Sequence, residues 1–463
     1  MSKKINLIVM IVVDGGRGDL IDVFETPNLH ELIDRGVRFQ NAMACQAFIE
    51  TASGIATIST GSYIKTHGVV ASHEWYSPEE NRVVYSVDEY GHAVNLLAPT
   101  FGDLIKARNP KTKIASVSSK DRNAILLAGH HADLIIHSYR EFPDSFTFQG
   151  AGVLEDHYTF AERKGRSLPS YLRGYQLPRY TNWSGNGFSY PHMDTAQTPL
   201  MDQFIMDAAL EILAMERPEV LCVGLVSPNI VGHYFPIHSN EMEDSIRMID
   251  RQIGRILDQL DRMGTLDETL IVVTSDHGMT PLKGVVDFPS LLRSELPEKL
   301  RKEVAHILLG STPGIYLRSQ TPHILNTILE AVRSMDHVAG AWRKDDPEAP
   351  WFVQRVACDH APSIIAVAEY GYTFLGEYDV RLQGYHGAPY FSDANIMMIF
   401  AGPDVERMGQ IGEPLNLNAP ELISESQINR LPQQVDITPT IEHLLGPSSI
   451  HRDGNPLISL LNG

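Results

Sequence analysis

The sequence is short of cysteine and of positive charge, and it contains no long apolar run. Three cysteines in 463 residues, Cys45, Cys222 and Cys358, are odd in number and widely separated. That argues against a disulfide framework or a thiolate metal site and fits a reducing compartment. Lysine and arginine number 38 against 57 aspartates and glutamates, a formal charge of −19. A basic face for a nucleic-acid duplex is therefore not expected, while bound cations are welcome. No segment is long and apolar enough to span a membrane, so no membrane partner is expected. The opening MSKKINLIVMIVVDGGRGD joins two lysines to an apolar run, but the run is short and has no small-residue cleavage site. It ends in an acid and glycines, which reads as a buried first strand and its loop rather than a signal peptide. The expectation is a cytoplasmic protein. Internal repeats and low-complexity tracts are also missing. The length then predicts one large domain over residues 1–463 carrying insertions. Oligomeric state is not legible.

What is present is an alternation of apolar runs with helical periodicity, the pattern of a largely parallel sheet with helices on both faces. NLIVMIVVD (6–14), KIASVSSK (113–120), ADLIIHS (132–138), EVLCVGLVS (219–227) and TLIVVTSD (269–276) read as strands. TPNLHELIDRGV (26–37) opens on Thr-Pro and closes on glycine, as a helix does. Residues 200–217 and 243–263 have amphipathic spacing. NIMMIFAGP (395–403) and VDITPTIEHLLG (435–446) read as a late strand and a closing helix. Two regions break the rhythm. Residues 139–199 are rich in Tyr, Pro, Gly and Ser and predict an inserted cap. Residues 281–383 predict a second inserted subdomain.

Ligands of an open α/β sheet bind beyond the carboxyl ends of the strands, so the residues that follow each strand matter most. The first strand ends at Asp14. The strand at 219–227 leads to Asn229 and His233, four apart. The strand at 269–276 ends in Asp276-His277-Gly278. GYHGAPY supplies His386. Carboxylate and imidazole together suit divalent metals, zinc above all. Taken singly, each has a plainer reading: Asp14 as a turn residue, His386 as a packed histidine. Asp-His-Gly directly after a buried strand is more informative, because both side chains can reach one point there. In FIETASGIATISTG (48–61), Thr51 precedes a helix-like run. A hydroxyl at a helix N-terminus faces free N–H groups that favour phosphate, and it can equally be an ordinary cap.

The set TASGIATISTG…HG, SPNIVGH, SDHGM and YHG resembles the alkaline phosphatase superfamily, in its nucleotide pyrophosphatase/phosphodiesterase-like branch. The resemblance implies an alkaline-phosphatase-like three-layer α/β sandwich with a largely parallel central sheet and inserted caps. It implies a Thr51 nucleophile and two divalent metal ions, zinc by family habit. Asp14, Thr51, Asp276 and His277 would hold one ion, and Asn229, His233 and His386 the other. The family places Asp where this chain has Asn229. A neutral amide there should hold zinc less tightly or admit a harder ion such as Mn2+ or Mg2+.

SVSSKDRNAILLAGHHAD (116–133) resembles the phosphomonoesterases of that branch, whose Lys-x-Arg pair grips the non-bridging phosphate oxygens. Lys120 and Arg122 match it. In an extended segment residues two apart project to one side, so both cations can face one ligand. Without that match the run reads as a solvated turn. The same group carries an Asn just before a Trp-Tyr pair. Here the segment is HGVVASHEWY, with His73 or Ser72 near that place, so His73 is a candidate for substrate contact. The expected activity is metal-dependent hydrolysis of phosphate monoesters of small molecules through a phosphorylated Thr51. Phosphodiester or nucleotide pyrophosphate hydrolysis and phosphonoacetate-type C–P cleavage are the alternatives within the family. A phosphate-ligand-binding protein with weakened catalysis is the alternative of another class.

Overall fold

The computed structural model describes residues 5–88, 92–137, 157–158, 168–376, 382–446 and 450–457. In chain order the first elements are β1 (Leu7–Val13), α1 (Pro27–Asp34), β2 (Gly36–Phe39), α2 (Thr51–Thr60), β3 (Ile114–Ser118), α3 (Asp121–Ala128) and β4 (Leu134–His137). There follow α4 (Leu200–Glu216), β5 (Val220–Leu225), α5 (Ser227–Tyr234), α6 (Asn240–Arg262) and β6 (Thr269–Thr274). An antiparallel unit contains β7 (Val304–Leu308), β8 (Gly314–Leu317), α7 (Pro322–Arg333), β9 (Val338–Arg343) and β10 (Ile364–Ala368). The chain then returns through β11 (Met398–Ala401), β12 (Gly409–Ile411) and α8 (Ile437–Leu444).

The eight-stranded central sheet has the order β12-β2-β11-β6-β1-β5-β3-β4. Pairing is parallel from β6 to β4 and between β2 and β12, and β11 alone runs against its neighbours β6 and β2. β1 lies between β5 and β6 and is apolar at every position. Its odd and even residues feed two different cores, as period-2 side chains must. Ile8, Met10 and Val12 meet Ile55 and Ile58 of α2, Ile125 of α3 and Ile441 of α8. Leu7, Val9, Ile11 and Val13 meet Leu32 of α1, Ile205 and Ile212 of α4, and Ile249, Ile253 and Ile256 of α6. Burial of each such side chain contributes about 1.5–3 kcal/mol. The result is the three-layer α/β sandwich with a largely parallel sheet that the alternating pattern predicts.

Several local expectations shift by a turn. Thr26 does precede Pro27, the first residue of α1, but its hydroxyl donates to the Ile21 carbonyl at 2.9 Å rather than capping the helix. The run read as a strand to residue 227 is a strand only to Leu225, and SPNIVGHY is helical. The strand within 395–403 is the reversed β11.

Of the expected cap at 139–199, residues 139–156 and 159–167 lie outside the described residues. The remainder forms a hairpin, Tyr180–Gly185 against Phe188–Asp194, which rests on α6. Trp183 Nε1 donates to Asp244 at 2.6 Å and the Tyr190 hydroxyl donates to Glu241 at 2.8 Å. Within 281–383 the strands pair in the order β7-β8-β10-β9. This sheet has its own apolar cluster, which includes Phe288, Ile315, Ile328, Val332, Ile364 and Phe374. Residues 377–381 lie outside the described residues. Among the described residues no helix is long and apolar enough to cross a membrane.

Candidate active site

The carboxyl ends of β1, β5 and β6 finish level, because Val13 pairs with Leu225 and Val12 with Thr274. Asp14 follows Val13 directly, Asp276 lies two residues beyond Thr274, and both are fully buried. Close approach of the three segments needs glycine. Gly15 has φ +68°, and a Cβ on it would lie 2.6 Å from the Asn229 Cα. The Gly15 N–H donates to Asp276 Oδ1 at 3.0 Å, and the Asn229 N–H donates to the Asp14 carbonyl at 3.0 Å. Arg17 braces the same loops, donating to the Met279 carbonyl and to Asp19.

Asp14, Asp276 and His277 each offer a ligand atom, all within 4.8 Å of one another. His277 Nε2 lies 3.5 Å from Asp14 Oδ1 and 3.7 Å from Asp276 Oδ2. Asp14 Oδ1, Asp276 Oδ2 and His277 Nε2 are buried with no hydrogen-bond partner. Such a convergence of orphaned acceptors is costly without a cation. Burial and the Asp14 charge push the Asp276 carboxyl well above its usual range. Burial also draws the His277 imidazole down to about 4, leaving it neutral and able to ligate. The donor set therefore fits a divalent ion.

Three histidines share one device. His277 Nδ1 bonds to the Gly278 carbonyl at 2.8 Å, His233 Nδ1 to Gly384 at 3.0 Å and His386 Nδ1 to Ile49 at 3.0 Å. A carbonyl only accepts, so each Nδ1 carries the proton and each Nε2 presents its lone pair. Burial lowers His233 to about 4 and His386 well below the usual imidazole value. The His277 and His386 rings stack at 3.5 Å, and His233 lies 5.3 Å from His386. Asn229 and His233 sit four apart on α5, hence on one face. The Asn229 Oδ1 is buried without a partner. The structure thus brings Asn229, His233 and His386 beside the acidic set.

Thr51 is the first residue of α2, and the cap position belongs to Glu50, so the ordinary-cap reading of Thr51 does not hold. Glu50 Oε2 accepts from the Ser72 N–H at 3.0 Å, and the Ser72 hydroxyl accepts from the Ala52 N–H at 3.4 Å. The 68–73 loop is thereby clamped to the helix N-terminus. Lys120 and Arg122 are not on an extended segment. Lys120 is the cap residue of α3 and Arg122 lies in its first turn. Both remain buried. Lys120 Nζ is 2.8 Å from Asp14 Oδ2 and 3.5 Å from Thr51 Oγ1. Burial opposes ionisation of Asp14, but Lys120 and His277 hold it below its usual value. Burial also draws both Lys120 and Arg122 down from theirs. His73 stands near the pair: burial, then Arg122 and Lys120, lower its imidazole to about 3.

Sequence reasoning missed Asn123, whose Nδ2 donates to Asp14 Oδ2 at 3.1 Å. Its adjacency to Arg122 in KDRN was the available signal. It also missed Gln434, whose Nε2 donates to the carbonyls of Ser275 and Asp276 at 3.0 and 2.7 Å. Thr312, between β7 and β8, donates to the Gly387 carbonyl at 2.6 Å and so joins the antiparallel unit to the His386 loop. Trp183, Phe188 and Tyr190 of the hairpin pack with one another and with Phe235, just beyond α5.

The family described as type I phosphodiesterase/nucleotide pyrophosphatase matches residues 8–389. Alkaline phosphatase PhoK of Sphingomonas sp is 27% identical over 320 residues, which are 59% of this chain and 55% of that one. Alkaline phosphatase PafA of Elizabethkingia meningoseptica is 26% identical over 361 residues, 64% of each chain. The chain spans less than two thirds of the length of these curated relatives. The structure of wild-type alkaline phosphatase PafA superposes with a TM-score of 0.77 at 18% identity, covering 99% of both chains. Murine ectonucleotide pyrophosphatase/phosphodiesterase 5 gives 0.66 at 16%, covering 98% of this chain and 100% of that one. These likenesses establish the shared fold.

Proposed function

This chain belongs to the type I phosphodiesterase/nucleotide pyrophosphatase family, and from that premise we propose that it is a metal-dependent hydrolase of small-molecule phosphate monoesters with Thr51 as its nucleophile. The observation that carries the reading is the placing of Thr51. Its hydroxyl stands in the first turn of a buried helix, 3.5 Å from Lys120 Nζ, which is itself 2.8 Å from Asp14. The Thr51 hydroxyl, the Lys120 ammonium and the acidic donor set thus stand together, which supports this reading.

Asp14, Thr51, Asp276 and His277 would hold one divalent ion, and Asn229, His233 and His386 a second. The mixture of carboxylate and imidazole favours zinc. When bound, such ions stabilise the negative charge of a threonine alkoxide and of the departing ester oxygen. The remaining work falls to the chain. Thr51 Oγ attacks phosphorus in line, the ester oxygen leaves, and water hydrolyses the phosphothreonine to restore Thr51 and release phosphate. Lys120 and Arg122 neutralise the non-bridging oxygens, with His73 beside them. Two buried cations suit a monoester dianion better than the single charge of a diester. The hairpin at 180–194 and the unit within 281–383 are proposed as caps over the leaving-group side. Thr312 ties the second of them to the loop of His386 through the Gly387 carbonyl.

Two measurements test the reading. A zinc-reconstituted sample should hydrolyse a phosphate monoester faster than a diester, a nucleotide pyrophosphate or phosphonoacetate. Acid quenching during turnover should trap phosphate on the peptide that carries Thr51. A preferred diester or phosphonate substrate would replace the monoester assignment, and turnover with no label on that peptide would remove the nucleophile.

A further inference from the structure

The two donor sets differ in charge. Asp14, Asp276 and His277 bring two carboxylates and an imidazole. Asn229, His233 and His386 bring an amide and two neutral imidazoles. Their acceptor atoms are in place: Asn229 is only 4% exposed and its Oδ1 has no partner, and both imidazoles have Nδ1 fixed on a carbonyl. Their charge is missing. The neighbouring Asp14 carboxylate is engaged by Lys120 at 2.8 Å and by Asn123 at 3.1 Å. A dication at this set meets three dipoles and no anion of its own in a buried, weakly screened place. Three protein donors also leave a tetrahedral position open. A phosphoryl oxygen supplies both a fourth ligand and the missing negative charge.

We infer that Asn229, His233 and His386 take their divalent ion only together with a phosphoryl ligand, whereas Asp14, Asp276 and His277 hold theirs alone. The inference rests on the two-ion reading proposed above. Substrate then recruits part of its own catalytic site, and the ion leaves as phosphate leaves. Linkage makes the dependence reciprocal: whatever factor phosphate adds to the affinity of the second ion, the ion adds to the affinity of phosphate.

The test uses the full chain, stripped with chelator and dialysed against buffered free zinc with and without inorganic phosphate. Bound zinc is counted by elemental analysis, and phosphate affinity is measured by calorimetry at low and high free zinc. The expectation is one zinc per chain without phosphate and two with it, and phosphate binding tightened by about tenfold at high zinc. Asn229→Asp restores a carboxylate and should hold two without phosphate. His386→Gln should stay at one under both conditions. Circular dichroism checks that each variant is folded. Two zinc ions in the parent without phosphate, or one regardless of phosphate, overturns the inference while leaving the acidic set intact. Failure of the parent to retain any zinc, or retention unchanged in Asp276→Asn, overturns the proposed function itself.

Discussion

Gly54 of α2 lies directly against the backbone of Asp276: a Cβ on Gly54 would come within 2.6 Å of the Asp276 carbonyl oxygen. The helix that Thr51 opens and the end of β6 can meet only because that side chain is absent. In a free helix, alanine is favoured over glycine by roughly 0.5–1 kcal/mol. Here the sign should reverse. Gly54→Ala must push α2 away from Asp276 and carry Thr51 with it. An ångström of misplacement lowers kcat by on the order of 10²-fold. Steady-state kinetics beside a thermal melt would decide the matter, since unchanged kcat with raised stability would mean the contact is not limiting.

Thr51→Ala removes the proposed attacking oxygen and should lower kcat by on the order of 10⁴-fold or more. Its circular dichroism should stay near the parent's. Thr51→Ser keeps the oxygen and should retain measurable turnover and acid-stable phosphate. Equal rates in the alanine variant and the parent would leave the mechanism without its nucleophile.

Lys120 and Arg122 should separate substrates by charge. Arg122→Ala is expected to lower monoester kcat/KM by about 10²-fold or more. A diester has one fewer negative oxygen to neutralise and should suffer less. Comparing the two substrates on one preparation cancels differences in folding. An equal loss on both would mean that Arg122 supports the site without reading the dianion.

Asp393 gives a pH dependence whose sign can be worked out. Burial pushes its carboxyl up from 3.8 to about 7, against the opposing pull of Thr280, the Ala388 N–H and Arg17. The folded protein therefore holds this proton more tightly than the unfolded chain. The stabilisation is complete below about pH 4 and is lost as the pH rises through about 7. Asp393→Asn resembles the protonated form and should be insensitive over that window. Relative to the parent, the variant should gain on the order of 4 kcal/mol between pH 4 and pH 8. Denaturant titrations at the two pH values measure this, and parallel profiles would contradict it.

Much of the site was legible because strand ends are marked in the sequence. Asp14, Asp276 and His277 follow apolar runs too uniform to be anything but buried strands, and His233 follows Asn229 at a helical step. Other features were hidden for identifiable reasons. The run within 395–403 shows no direction, because an apolar strand is apolar read either way, so the reversal of β11 is a property of pairing alone. The sequence reads Lys120-Asp121-Arg122 as extended, but Asp121 begins a helix whose apolar face is satisfied by packing against α2 and the strands β3, β4 and β5. Asn123 meets Asp14 across 109 residues of sequence, a distance at which local pattern is silent. The sequence predicts an inserted subdomain over 281–383 but not its strand order, because strands of four to six residues, two of them buried at every position, give little periodicity.

β1 carries one more consequence. Because both of its faces are apolar, slipping it by one residue would still give two greasy cores, so hydrophobicity scarcely chooses between registers. The choice is made at the strand's end. A slip would move Asp14 by about 3.3 Å and turn it to the opposite face, breaking its contacts with Lys120, Asn123 and His277 and dragging Gly15 off Asn229. The groups proposed to hold metal and phosphate are therefore also the groups that index the central strand, and damage to them should be felt first as misthreading of the fold rather than as loss of a single contact.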